Sequence, residues 1–237
     1  MTPAITEPLA SGLVPVSAVP PLEPGDRLTR EEFERRYEAM PESKKAELIE
    51  GVVYMPSPVR VRRHGRPHAR IIGWLIYYEA QTPGVEVADN ATARLDLDNE
   101  PQPDAMLYIA PERGGQARIG AEDYIESAPE LVVEVASSSA SFDRNTKLHV
   151  YRRNGVLEYI VWRVMDSQID WFVLRGGEYA RLEADAGGVV RSERFPGLWL
   201  NARALLQGDL AATLRTLDEG CASAEHAAFV AQLGGAA

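Results

Sequence analysis

The sequence predicts an α/β (α+β) fold: a mixed β-sheet flanked by helices, in a single domain with a helical C-terminal tail. Three observations carry this. Ile71, Trp74, Leu75 and Tyr78 recur at helical spacing between residues 67 and about 80, giving an amphipathic helix that ends near Pro83-Gly84. Residues 131–136 form a short apolar run, followed by a serine-rich turn and a second helix stopped at Asn154-Gly155. Strand patterns at 157–164, 168–174 and 178–182 then follow as a meander, the first two turning at Met165-Asp166-Ser167. Helices set against strands in this mixture bury one face of a shared sheet.

Residues 1–25 hold Pro3, Pro8, Pro15, Pro20, Pro21 and Pro24 without periodicity and read as a flexible Pro-rich arm. Residues 26–209 form the main domain. Thr29-Arg30-Glu31-Glu32 looks like a capping box opening a helix to about Met40. In KAELIEGVVYMPSP, two short strands bend at Gly51. Strand-like pieces follow the amphipathic helix at 85–88, 91–97 and 103–109, and the Gly-rich stretch 111–120 reads as a loop. Asp143 is placed to cap the second helix. Residues 210–237 are an Ala-rich tail of one or two helices, suited to packing on the core or on a second subunit.

Composition narrows the function classes. The 237 residues carry a net charge of −10, which counts against indiscriminate coating of nucleic acid yet allows a local basic groove. Cys221 is the only cysteine, so neither an intrachain disulfide nor a Cys-rich zinc site is possible. No basic stretch precedes Glu7, and no run of eighteen apolar residues occurs. The expectation is a soluble cytoplasmic protein with no membrane span.

The chemistry centres on Glu134, in the middle of the run Leu131-Val132-Val133-Glu134-Val135. A charge there is costly to bury unless it is paired, hydrogen-bonded or holding a metal. Asp104 lies in QPDAMLYI, and alternation puts it on one face with Met106 and Tyr108, as it puts Glu134 with Val132 and Ala136. On neighbouring strands the two carboxylates converge, which suits a hard divalent cation, Mg2+ or Mn2+. Such an ion polarises a phosphate and lowers the pKa of a bound water. Lys147, about one turn into the second helix and on the face of Tyr151, is placed to aim its ammonium at Glu134 and stabilise a phosphoryl transition state. Each also has a purely structural reading: a strand start for Asp104, a buried ion pair for Glu134, a solvated helix position for Lys147. Glu47 and Glu50 fall on opposite strand faces, and Glu47 is favoured as a further acid because Glu50 borders the Gly51 turn.

The segment VRVRRHGRPHAR concentrates Arg60, Arg62, Arg63, Arg66 and Arg70. It either contacts phosphates ahead of the following helix or is a solvated loop paired with surface acids. His64 and His68 are four apart, but Gly65 and Pro67 between them argue against a regular helix and so against a zinc pair.

Taken together, AELIEGVVYMPSP, the His68 that opens a helix, QPDAMLYI, LVVEVASSSASFDRNTKLHVYRRNGVLEYIVW and FPGLWL resemble a known family over roughly residues 28–209. The resemblance is to the Uma-two-like restriction endonucleases, a branch of the PD-(D/E)XK nuclease superfamily. It implies a restriction-endonuclease-like core, a magnesium site, a DNA substrate and a homodimer. It also implies Asp104 and Glu134 as the metal carboxylates and Glu47 as an additional acid. Two residues after Glu134 stands Ala136, where the superfamily pattern has lysine, so Lys147 from the helix would take that place. The expected activity is a Mg-dependent endonuclease that hydrolyses DNA with metal-activated water. The alternative is a catalytically silent nuclease fold kept as a binding or assembly module.

Overall fold

The computed structural model describes residues 19–41, 45–55, 60–137 and 143–235. The Pro-rich arm up to residue 18, the prolines at 56 and 58, the serine run beyond Ser137 and the capping side chain of Asp143 lie outside the described residues. Helix α1 (Arg30–Glu38) starts where the capping signal places it, with the Thr29 hydroxyl accepting from the Glu32 amide at 3.4 Å. The Glu32 carboxylate does not turn back to the cap; it accepts from Arg35 and Arg36 instead. The hairpin β1 (Glu47–Ile49) and β2 (Val52–Tyr54) turns at Glu50-Gly51, both with positive φ. Leu22, Phe33, Leu48 and Val53 give this N-terminal unit a small core of its own.

Helix α2 (Arg66–Glu79) follows a single π-type turn, Val61–Gly65. After it come β3 (Val85–Asp89), β4 (Ala93–Arg94), β5 (Ala105–Ile109), β6 (Arg118–Ile119), β7 (Ile125–Glu126) and β8 (Leu131–Ala136). A second π-type turn, Asp143–Lys147, leads into α3 (Leu148–Arg153). The chain then forms β9 (Glu158–Arg163), β10 (Gln168–Arg175), β11 (Glu178–Arg181), β12 (Val189–Arg191) and β13 (Trp199–Asn201). Helices α4 (Ala202–Gln207), α5 (Leu210–Cys221) and α6 (Ala224–Gly235) finish it.

Six strands make the main sheet, in the order β11-β10-β9-β8-β5-β3. Only β8 and β9 run parallel, because α3 carries the chain back to the starting edge between them; the other pairs are antiparallel. One face buries Leu107, Val133, Val135, Ile160 and Trp162 under α2, which contributes Ile71, Trp74, Leu75 and Tyr78. The other buries Met106, Val132, Val161 and Tyr159 with Tyr151 of α3. Strands covered on both faces read as continuous apolar runs, which is why a carboxylate inside one stands out.

Several expectations change. The 91–97 strand shrinks to β4, since Asn90 has a positive φ and Asp96 bridges to Asn99 in a tight turn. The 111–120 loop contains β6, which pairs with β7 in a small three-stranded sheet with β4. The Ala-rich tail holds two helices, α5 and α6, separated at Ser223, and an additional helix, α4, precedes it across Gly208 (φ 81°). Leu205, Leu217 and Leu233 bring all three into the core beneath α2. Burying one such side chain is worth about 1.5–3 kcal/mol.

Candidate active site

Pairing of β5 with β8 sets Ala105 opposite Val133, so Asp104, just before β5, falls beside Glu134. The Asp104 Oδ2 accepts from the Val135 amide at 2.7 Å, which ties the two acidic segments together. The Glu134 Oε1 accepts from the Lys147 ammonium at 2.8 Å and from the Tyr151 hydroxyl at 2.8 Å. Lys147 also donates to Glu47 Oε1 at 3.0 Å, and the same oxygen takes the Gln102 amide at 2.7 Å. Lys147 is 4% exposed, so it is a buried cation between two buried carboxylates and not a solvated helix residue. Glu50 points outward from the turn and pairs with Arg153 at 2.9 Å. The four residues Glu47, Asp104, Glu134 and Lys147 thus come from four elements into one cluster.

Electrostatics differ within it. Burial pushes the Asp104 carboxyl up, but the His64 hydrogen bond and charge, the Val135 amide and Lys45 outweigh it and hold it below its ordinary value. Asp104 is therefore an anion at neutral pH. Burial, the Glu134 charge and Tyr159 push the Tyr151 hydroxyl well above its ordinary range, so it stays a donor.

Two histidines join the cluster that the sequence reading set aside. His64 Nε2 lies 3.0 Å from Asp104 Oδ1, and His68 Nε2 lies 2.9 Å from both the Asp104 carbonyl oxygen and Asp89 Oδ1. The rings are neighbours, with centroids 5.6 Å apart. Gly65 and Pro67 do prevent a regular helix at His64, since Val61–Gly65 is a π-type turn. They do not separate the rings, because Pro67 near the start of an α-helix removes only an amide that needs no partner there. The i, i+4 spacing was the available signal. Lys45 also reaches in, donating to Asn90 Oδ1 at 2.9 Å and the Gln102 carbonyl at 3.0 Å.

Arg60, Arg62, Arg63 and Arg66 are exposed and Arg70 is half-buried. Among the described residues none of the five makes an ion pair, although most other surface arginines do. Among the described residues, then, surface acids do not occupy this segment.

Hard carboxylate oxygens suit magnesium or manganese, and Asp104 with Glu134 are the carboxylates that could hold such an ion. No three His, Cys, Asp or Glu side chains among the described residues are grouped as a ready-made cage. Ala136, two residues after Glu134, is buried against the α3 side of the sheet, and the Lys147 ammonium from the turn before α3 reaches Glu134 directly.

No helix among the described residues is long and apolar enough to cross a membrane. No curated protein matches this chain. In shape it is similar to a solved structure from Anabaena variabilis, described as "a putative nuclease belonging to DUF820", with a TM-score of 0.56 and 14% identity. That likeness covers 73% of this chain and 96% of the other, and it shows the fold. Residues 30–203 match the Uma2 family, described as "Putative restriction endonuclease". That span takes in the hairpin bearing Glu47, the Asp104 and Glu134 strands and Lys147; the chain belongs to the Uma2 family.

Proposed function

We propose that this protein is a metal-dependent endonuclease that hydrolyses DNA phosphodiester bonds, working as a homodimer so that both strands are cut. The observation that carries the reading is the buried Lys147 held between Glu47 and Glu134, beside an ionised Asp104. Asp104 and Glu134 would hold magnesium or manganese, whose chemistry is Lewis-acid polarisation of phosphate and a water of lowered pKa. Lys147 offers positive charge to the phosphoryl oxygens as they gain electron density. Tyr151, fixed by Glu134, holds that carboxylate in one rotamer. The unpaired arginines from Arg60 to Arg70 contact the DNA backbone, which positions the strand without reading its sequence.

The test is nicking of supercoiled plasmid with magnesium by wild type, Asp104→Asn and Glu134→Gln, each checked for folding by its melting curve. Loss of nicking in both folded variants is expected. Nicking that survives both changes would falsify the reading. One observation favours the silent-module alternative: both Asp104 oxygens already have protein partners, His64 and the Val135 amide. A wild-type melting temperature that does not respond to magnesium would support that alternative.

A further inference from the structure

Three of the five arginines form a structure that the other two do not. Arg62, Arg66 and Arg70 line a cleft of about 220 Å³ whose other wall is Trp162, Val164 and Leu206, and no carboxylate lines it. A Cβ on Gly208 would come within 2.7 Å of the Arg70 guanidinium, so that glycine leaves the room in which Arg70 sits. In an acidic protein, three guanidinium groups around one hollow, without an ion pair among the described residues, call for an anion. The volume equals about seven water molecules at ~30 Å³ each, more than a phosphate group fills. The apolar wall suits a sugar carried with that phosphate.

The cleft lies at the same end of the sheet as the carboxylates. Trp162 pairs with Val135, and Glu134 with Val161, at the C-terminal end of the parallel pair β8 and β9. It opens on the opposite face, however. Trp162 belongs to the core under α2, whereas Val132 and Val161 mark the Glu134 side. Arg66 and Arg70 each stand two residues from His68, about 200° around a helix of 3.6 residues per turn. Helix α2 therefore turns His68 to the acidic cluster and Arg66 and Arg70 to the cleft. Its width, about 10–12 Å with side chains, separates the two.

The geometry points to a flanking-nucleotide subsite. The cleft holds one sugar-phosphate of the bound DNA strand, outside the scissile phosphate, with all three guanidinium groups on a single phosphate. This rests on the endonuclease reading above and names how that site grips its substrate.

The experiment measures binding of a short labelled DNA duplex by the full chain without magnesium, over a range of salt. Wild type is compared with the combined Arg62→Gln, Arg66→Gln and Arg70→Gln variant, and with Arg175→Gln as a surface control. One shared phosphate predicts at least a tenfold loss of affinity and a salt slope lower by about 0.9, whereas three separate phosphates predict about 2.7. The control should leave both unchanged. Single methylphosphonate replacements along the strand should weaken wild-type binding at one position outside the cut and have no effect there on the triple variant. An unchanged slope, a change near 2.7, or interference spread evenly over consecutive phosphates overturns the subsite. The two readings fail separately: Glu134-dependent nicking with an unchanged slope removes only the subsite, and the expected slope change without nicking removes only the nuclease.

Discussion

Glu134 and Glu158 sit on adjacent parallel strands, β8 and β9, and each is 5% exposed or less. Glu158 is at the start of β9, where it accepts from the Trp171 indole at 2.9 Å, the Ser192 hydroxyl at 2.9 Å and the Glu193 and Arg194 amides at 2.7 and 3.0 Å. Its partners are backbone and neutral side chains, and they pin the 192–195 loop against the sheet. Glu134 is held by an ammonium that it shares with Glu47 and by a hydroxyl. Fixed amides tie Glu158 to the fold, whereas the proposed nuclease function gives Glu134, held by Lys147 and Tyr151 at the end of the sheet, its role in chemistry. Burial alone does not distinguish the two.

The comparison breaks most sharply by substitution of each acid with its amide. Glu134→Gln should cost at least ~10²-fold in plasmid nicking, the scale of losing a transition-state electrostatic group, while shifting the melting temperature little. Glu158→Gln should do the reverse. It places an amide N–H2 against buried donors at ~1–3 kcal/mol each, lowering the melting temperature by several degrees while the folded fraction keeps its activity. Equal losses of activity per folded molecule in the two variants would erase the distinction.

Lys147→Met sharpens it. Removing the shared cation leaves Glu47 and Glu134 uncompensated, a loss of about 3–5 kcal/mol read by denaturant unfolding. Adding Glu47→Gln and Glu134→Gln to that variant should recover much of the stability but none of the nicking. If the single Lys147 change is thermally neutral, the cluster is not the buried ion pair described.

A third buried carboxylate extends the comparison to pH. Glu100 is pushed up to about 8, first by burial and then by Glu34 opposite it, against the opposing pull of Arg94 and Arg30. Its Oε2 has no hydrogen-bond donor among the described residues, and two carboxyls make a hydrogen bond only when they share a proton. The folded state keeps that proton while the unfolded chain loses it near 4.5, so this contribution to stability is full below pH 4.5 and lost as pH rises through about 8. The melting temperature should therefore fall between these limits, and Glu100→Gln should flatten the decline. The smallest effect is expected from Tyr151→Phe, which deletes one hydrogen bond to Glu134 worth about 0.5–1.5 kcal/mol, measured by chemical denaturation.

The elements were largely legible in the sequence because their signals are local. The α2 stripe, the β8 run and the β9–β10 hairpin depend on periods of 3.6 and 2, which a single segment carries alone. The facing of Asp104 and Glu134 followed from the same alternation. What failed was short or irregular: β6, β12 and β13 have two or three residues each, too few for a period to register. Helix α4, ahead of the tail, has only six residues and starts at the Asn201 cap, too short for a helical period to register.

The sequence by itself determined which faces the acids take, since alternation and helical spacing orient a side chain whatever packs beside it. It also determined that a carboxylate in the β8 run needed a partner. Only the tertiary structure decided which partner. Glu47 and Lys147 are a hundred residues apart, and docking of the hairpin against the 99–102 segment, through the Leu48–Glu100 bridge, brings them within 3.0 Å. Only the fold could show that His64 reaches Asp104 and that five arginines make no ion pair among the described residues. Hydrogen bonds and ion pairs between distant segments depend on how whole layers pack, and no local pattern encodes that.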